Sequence, residues 1–263
     1  LTILVVFLLG PWLGIWWAKG NLASNVWFNT LPLTDPLLAI QSFLALGKIS
    51  STALLGATLI TIFYCLVGGR VFCSWVCPVN VITDIAFKCR QYLNIHGTLT
   101  LKRSNRIWLL ITILTLASIT GTLAWELINP VTIIHRAFIY GFGLAWIMII
   151  SIFLFDTFIS KRGWCSHLCP VGFFYSLIGK FSIVRISAYA LESCSNCGDC
   201  FTSCPEPHVI NPALSINGET KLILSGDCTN CGRCIDVCPD DVFRFQNRCK
   251  DPKGSTDKFS ASK

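Results

Sequence analysis

Charge is scarce in this chain. Only 13% of its 263 residues are charged, against 53% hydrophobic with nine Trp, which excludes an ordinary water-facing surface over most of its length. Covalent haem is excluded by the absence of Cys-x-x-Cys-His. A bis-histidine haem needs two histidines at matching depth; His135 and His167 are expected on opposite faces, while His96 and His208 fall in a loop and in the C-terminal module. No Walker loop and no GxGxxG after a strand is present, so nucleotide binding is not indicated. A basic start and a small-residue cleavage site are both missing, which speaks against a cleaved signal peptide. The first residue is Leu, and a short N-terminal segment is expected to precede it. The net charge of +7 is not a nucleic-acid signal, because eight Lys/Arg face ten Asp/Glu from Ile186 onward.

What the chain has in abundance is cysteine, fifteen in all. Eight fall in two runs, Cys194-x-x-Cys197-x-x-Cys200-x-x-x-Cys204-Pro205 and Cys228-x-x-Cys231-x-x-Cys234-x-x-x-Cys238-Pro239. That spacing wraps three thiolates round one [4Fe–4S] cluster and sends the fourth to the neighbouring cluster. Cys194, Cys197, Cys200 and Cys238 are therefore expected to hold one cluster, and Cys228, Cys231, Cys234 and Cys204 the other. The proline after each fourth cysteine redirects the chain. Disulfides would need an oxidising compartment, and zinc would use ribbon or finger spacing. A hairpin is expected over Ala213–Asn217 and Thr220–Leu224, turning at Asn-Gly, with Val184–Leu191 as the opening strand.

Four uncharged runs, Leu1–Ala18, Ile49–Gly69, Ile107–Trp125 and Ala137–Phe155, predict four transmembrane helices. They form a repeat. Unit one carries Leu31-Pro32-Leu33-Thr34-Asp35-Pro36 in its outer loop and ends in Phe72-Cys73-Ser74-Trp75-Val76-Cys77-Pro78-Val79. Unit two carries Leu127-Ile128-Asn129-Pro130 and ends in Trp164-Cys165-Ser166-His167-Leu168-Cys169-Pro170-Val171. The apolar stretches Val79–Leu93 and Val171–Phe181 are expected to lie along the interface. Arg70, Lys88, Arg90, Lys102, Arg103, Arg106, Lys161, Arg162, Lys180 and Arg185 outnumber Lys19, Lys48 and Arg136, which places the Cys-Pro motifs and the module on the cytoplasmic side of a bacterial inner membrane. The expected fold is mainly α: a polytopic four-helix transmembrane domain over 1–183, an α+β ferredoxin-like 2[4Fe–4S] module over 184–249, and a polar tail over 250–263.

Under the twofold symmetry of two like units, Cys73, Cys77, Cys165 and Cys169 converge. Three readings stay open: a third iron–sulfur cluster, a redox-active dithiol pair, or buried packing cysteines. Cys65, Cys89 and Cys249 stand outside any motif and read as packing residues. Ionisable residues in or beside the spans are the candidates for proton handling. At the inner face these are Asp84, Asp156 and His167; at the outer face they are Glu126 and His135, with Asp35 in the matching loop.

The chain resembles the NapH family of membrane-bound ferredoxin-type quinol dehydrogenase components. The resemblance runs nearly end to end. It rests on Gly10-Pro11-Trp12, Leu31-Pro32-Leu33-Thr34-Asp35-Pro36-Leu37, both Cys-Pro motifs, Ile128-Asn129-Pro130-Val131, Leu154-Phe155-Asp156, Cys204-Pro205-Glu206-Pro207-His208-Val209 and Cys231-Gly232-Arg233-Cys234. It implies quinol oxidation from the membrane quinone pool, with electrons passed to a periplasmic polyferredoxin of the NapG type and on to nitrate reductase. Rival readings are a copper-reducing or reductase-maturing membrane ferredoxin of the CcoG or NosR type, and an anchoring scaffold with structural clusters.

Overall fold

The computed structural model describes residues 18–248 except 29, 96–98, 100, 142, 144 and 215–220, together with residues 6, 7, 9 and 12. A small antiparallel sheet comes first, β1 (Ala18–Gly20), β2 (Ser24–Trp27) and β3 (Leu31–Thr34), with Trp27 opposite Leu31 and Ser24 opposite Thr34. Asp35 caps α1 (Pro36–Leu46), accepting from Leu37 N–H, with Pro36 in the first turn where a missing donor loses nothing. α2 (Ser51–Val67) is capped by Ser50. Phe72–Val76 then form one π-turn, closed by Cys77 N–H to the Phe72 carbonyl at 3.0 Å, and α3 (Val79–Tyr92) follows.

α4 (Asn105–Thr120) and the short α5 (Ala124–Ile128) connect to the second unit. There Asn129 caps α6 (Pro130–Tyr140) through Val131 N–H, as Asp35 caps α1. α7 (Ala145–Leu154) runs into a π-turn at Phe155–Ile159. A further π-turn, Trp164–Leu168, is closed by Cys169 N–H to the Trp164 carbonyl at 2.9 Å and leads into α8 (Pro170–Gly179). The repeat is thus structural: cap, proline-started helix, second helix, π-turn across the Cys-Ser-x-x-Cys motif, helix. Such turns are rare and concentrate at functional sites.

Among the described residues the transmembrane helices expected from hydropathy are not formed. Among the described residues no helix is long and apolar enough to cross a membrane. α2 has 17 residues, roughly 25 Å of rise against a hydrocarbon core of roughly 30 Å. α4 stops at left-handed Gly121 (φ 65°). The run Ala137–Phe155 is split between α6 and α7 at Gly141 and Gly143, with φ of 95° and 33°. The first expected span lies almost wholly outside the described residues. Hydropathy registers apolar side chains but not the glycine turns that stop a helix. The separation of outer loops from inner motifs also fails, because Asp35 and Asn129 border the same cavity as the Cys-Pro cysteines. Five of the ten basic residues read as surface charge, Arg70, Arg90, Arg106, Arg162 and Arg185, are buried.

In the C-terminal module, β4 (Val184–Ala188) pairs antiparallel with β5 further on, through α9 (Asp199–Ser203), α10 (Asn211–Leu214), α11 (Arg233–Asp236) and β5 (Phe243–Asn247). Val184 lies opposite Asn247 and Ala188 opposite Phe243, so the two ends of the module close on each other. Most of the expected Asn-Gly hairpin lies outside the described residues. Its first residues, Ala213 and Leu214, end α10, and Leu222 bridges to Ser187 of β4. Cys249 and the polar tail also lie outside the described residues.

Glycine contacts seat α8 against the first unit on one side and against the module on the other. A Cβ on Gly69 would collide with the backbone of Tyr175 and Gly179 in α8, and one on Gly226 with the Ser176 carbonyl. Gly69→Ala is expected to lower stability by about 1–3 kcal/mol through forced backbone displacement. A melting temperature equal to wild type would show that this seam is not closely packed.

Candidate functional site

Cys73, Cys77, Cys165 and Cys169 line one cavity of about 640 Å³ of empty space, with Arg70 and the two helix caps Asp35 and Asn129 on its wall. Each thiol keeps some accessible surface. The π-turns put them there: in each unit the turn tightens the chain between the two cysteines, and the following proline starts α3 or α8 away from the cavity. Burial, with the neighbouring Cys73 adding to it, pushes the Cys169 thiol up to about 11. Deprotonating all four therefore needs positive charge close by. Among the described residues no three His, Cys, Asp or Glu side chains converge as a single metal ion requires. Four thiols set around an open volume suit a multi-iron cluster, whose ligands bind different corner irons.

Arg70 joins this cavity to the ferredoxin module. It is buried, and its Nη1 donates to Glu206 Oε1 at 3.0 Å and to the Asp227 carbonyl at 3.0 Å, while Nη2 donates to the Cys165 carbonyl at 3.4 Å. Glu206 follows Cys204 by two residues, and Asp227 directly precedes Cys228. Arg106 donates to both Asp227 carboxylate oxygens at 2.8 Å, and Ser176 Oγ donates to Asp227 Oδ1 at 2.8 Å. Burial alone would raise the Asp227 carboxyl, but hydrogen bonds from His208, Arg106 and Ser176 outweigh it and hold it well below the usual carboxylate range. The second unit has its counterpart. Arg162, three residues before Cys165 as Arg70 is before Cys73, pairs with Asp84 at 2.8 Å, and Asp84 also holds Arg233 between Cys231 and Cys234.

The two ferredoxin runs fold alike. Asn196 and Gly198, and Asn230 and Gly232, are left-handed, with φ of 56°, 84°, 47° and 78°. These turns aim backbone N–H groups inward, the concave arrangement that receives anionic iron–sulfur groups. Cys204 lies with Cys228, Cys231 and Cys234 on a single cavity of about 330 Å³. This inner set faces the helices: Ser74 Oγ donates to the Thr229 carbonyl at 2.9 Å, and Asn230 Nδ2 donates to the Val67 carbonyl at 2.9 Å. Burial pushes the Cys204 thiol up to about 12. Cys197, in the other run, is exposed.

The candidates for proton handling do not share one place. Asp156 is buried and spends Oδ1 on Trp164 N–H at 3.0 Å, holding the second π-turn. Burial raises its carboxyl to about 7. His167 projects from that same turn between Cys165 and Cys169, half-buried. Glu126 accepts from Thr132 Oγ1 at 2.7 Å. His135 is buried on α6 against the Phe7 ring, at 5.9 Å between centroids. Asp35 is the one that borders the four-thiol cavity, and Tyr175 OH donates to its Oδ1 at 3.1 Å. Arg70, Tyr175, Glu206 and Asp227 carry no motif of their own. Aligning the repeats would have marked Arg70 and Arg162 as matched positions, but not their partners.

Comparison with known families gives the same division of the chain. Residues 51–96 and 142–186 each match the family described as "4Fe-4S binding domain", one match per repeat unit, and residues 186–239 match "4Fe-4S dicluster domain". The chain is similar to the methylamine utilization ferredoxin-type protein MauN of Paracoccus denitrificans, 51% identical over 94% of this chain and 87% of that protein. It is similar to MauN of Methylorubrum extorquens, 49% identical over 84% of this chain and 77% of that one. It is also similar to the ferredoxin-type protein NapH of Escherichia coli, 44% identical over 94% and 86%. No solved structure matches.

Proposed function

The chain belongs to the NapH/MauN-type ferredoxin family and is a ferredoxin-type 4Fe-4S electron-transfer protein, and we propose that it takes electrons from quinol at its helical unit and delivers them from its ferredoxin module. The observation that supports this reading is the succession of thiol sets. Cys73, Cys77, Cys165 and Cys169 would hold one cluster in the helical unit. Cys204, Cys228, Cys231 and Cys234 would hold a second directly behind the Arg70 layer, and Cys194, Cys197, Cys200 and Cys238 a third toward the exposed end. A bound [4Fe–4S] cluster supplies one-electron storage, which a two-electron donor needs on the way to a one-electron acceptor.

The chain's own residues prepare these places. Arg70 and Arg162 bring a guanidinium to within three residues of each motif's first cysteine, offsetting the anionic charge that thiolates bring to a buried site. The buried ion pairs fix the module against the helices, so the inner thiol set and the helical set keep one relative position. The exposed Cys197 end is the docking face for the acceptor, a polyferredoxin of the NapG type serving a periplasmic nitrate reductase. The proposed location is the bacterial inner membrane. Leu54, Ile62, Trp108, Ile111, Ile119 and Trp146 lie exposed along α2, α4 and α7 and favour lipid over water.

Anaerobic quinol added to the purified protein is expected to give the electron paramagnetic resonance signals of reduced clusters, without any partner. Clusters that dithionite reduces but quinol never does, with or without the acceptor, would reject electron delivery from quinol and leave the scaffold reading.

A further inference from the structure

Next to the four-thiol cavity lies a second one, of about 620 Å³ of empty space, and the two share Leu22, Asp35 and Phe72. Its walls are aromatic. Tyr64 and Tyr175 meet edge to face at 4.9 Å between centroids, Phe72 lies 5.8 Å from Tyr175, and Trp27 contributes from β2. Flat rings stack or meet edge-on against such walls.

The polar end of this cavity holds acceptors. Asp35 Oδ1 takes both Leu37 N–H at 3.0 Å and Tyr175 OH at 3.1 Å, which leaves the Oδ2 lone pairs for a ligand. Asn25 Oδ1 is buried on the same wall and has no hydrogen-bond partner among the described residues. A buried acceptor without a donor is uncommon and calls for one. The repeat shows that the carboxylate is not there for the fold. At the equivalent cap of unit two, Asn129 does the same work for α6 with a neutral side chain. Burial pushes the Asp35 carboxyl up to about 6, a cost the neutral residue avoids.

We propose that this second cavity is the binding site for a dihydroxyaromatic ring, a hydroquinone, held between Tyr64, Phe72 and Tyr175 with Asp35 and Asn25 accepting from its hydroxyls. The inference rests on the quinol reading above and gives it a place. Phe72 walls both cavities and directly precedes Cys73, so a ring seated here lies beside the helical thiol set.

The test uses the cluster-loaded protein in detergent and a short-chain ubiquinol, with binding of the ubiquinol to the dithionite-reduced protein followed by tryptophan quenching. Asp35→Asn keeps the helix cap, as Asn129 shows, and Tyr175→Phe keeps the ring. Asp35→Asn is expected to weaken binding about ten-fold or more, the scale of a lost hydrogen bond to a charged group, and Tyr175→Phe to weaken it less, by releasing Asp35 from its fixed orientation. Ile60→Trp, which fills the cavity, should abolish binding. Iron content and dithionite-reduced spectra should match wild type in all three. Binding and quinol-driven reduction unchanged in all three variants would overturn this site while leaving the quinol reading intact. Failure of wild type itself to be reduced by quinol would overturn that reading, and this site with it.

Discussion

Cys169→Ala is expected to lower iron and acid-labile sulfide from about twelve of each per chain to about eight, with the two ferredoxin signals retained. The substitution removes one of four thiols round the helical cavity and little else. The turn itself is held by Cys169 N–H to the Trp164 carbonyl, which alanine keeps, and Pro170 still starts α8. Asp156 still holds Trp164 N–H. Cys65→Ala is the control, since Cys65 borders none of the cavities built from motif cysteines. The measurement separates the three readings that the four thiols allow. A wild-type protein with about eight irons, unchanged by Cys169→Ala, would sink the helical cluster and leave a dithiol or packing role. Cys73, Cys77 and Cys165 should each behave as Cys169 does, because all four share one cavity.

The ferredoxin half was legible because ligand spacing is a covalent-scale constraint. Three thiols must reach three corners of one cluster within a turn or two, so Cys-x-x-Cys-x-x-Cys fixes the local path, and Asn196, Gly198, Asn230 and Gly232 supply the left-handed residues that path needs. The repeat was legible for the same reason at its Cys-Pro ends. The helical half was misread where a one-dimensional property stood in for a three-dimensional one. An apolar run of about twenty residues counts as a span only if nothing inside it turns the chain, and Gly121, Gly141 and Gly143 do turn it. Basic residues between such runs count as surface charge only while they are solvated, and Arg70, Arg106 and Arg162 instead find Glu206, Asp227 and Asp84. Glu206 lies 136 residues from Arg70 and Asp227 lies 121 from Arg106, and sequence separation hides such pairs. Asp35 was recognised as ionisable, but its link to Tyr175, 140 residues on, exists only in the fold.

Arg70→Met is expected to be the most disruptive single change outside the cysteines, lowering stability by about 3–5 kcal/mol because it strands buried carboxylates. Arg70 and Glu206 are almost wholly out of solvent, with 2% and 3% of their side-chain surface exposed. Without the guanidinium, Glu206 keeps the longer contacts to the partly exposed Arg103 at 3.4 Å and His208 Nδ1 at 3.6 Å, and the Asp227 and Cys165 carbonyls each lose a donor. Arg70→Lys keeps the charge but cannot reach Glu206 and both carbonyls with one compact ammonium, so its loss should be intermediate. Adding Glu206→Gln to Arg70→Met should recover part of the stability, since the stranded charge is then gone. The sign of the pH dependence follows from Asp227. A carboxyl held below its unfolded value near 3.9 adds stability that is present above that pH and lost as pH falls toward the folded value. The wild-type joint between helices and module should therefore hold down to about pH 4 and weaken below it. In Arg70→Met the Asp227 carboxyl loses a nearby cation, so less stability is left to lose below about pH 4 and the gap to wild type should narrow there. Limited proteolysis at the 180–183 connection across pH 3–7 reads this directly. Equal protection of wild type and Arg70→Met over that range would show that the buried pair does not hold the two halves together.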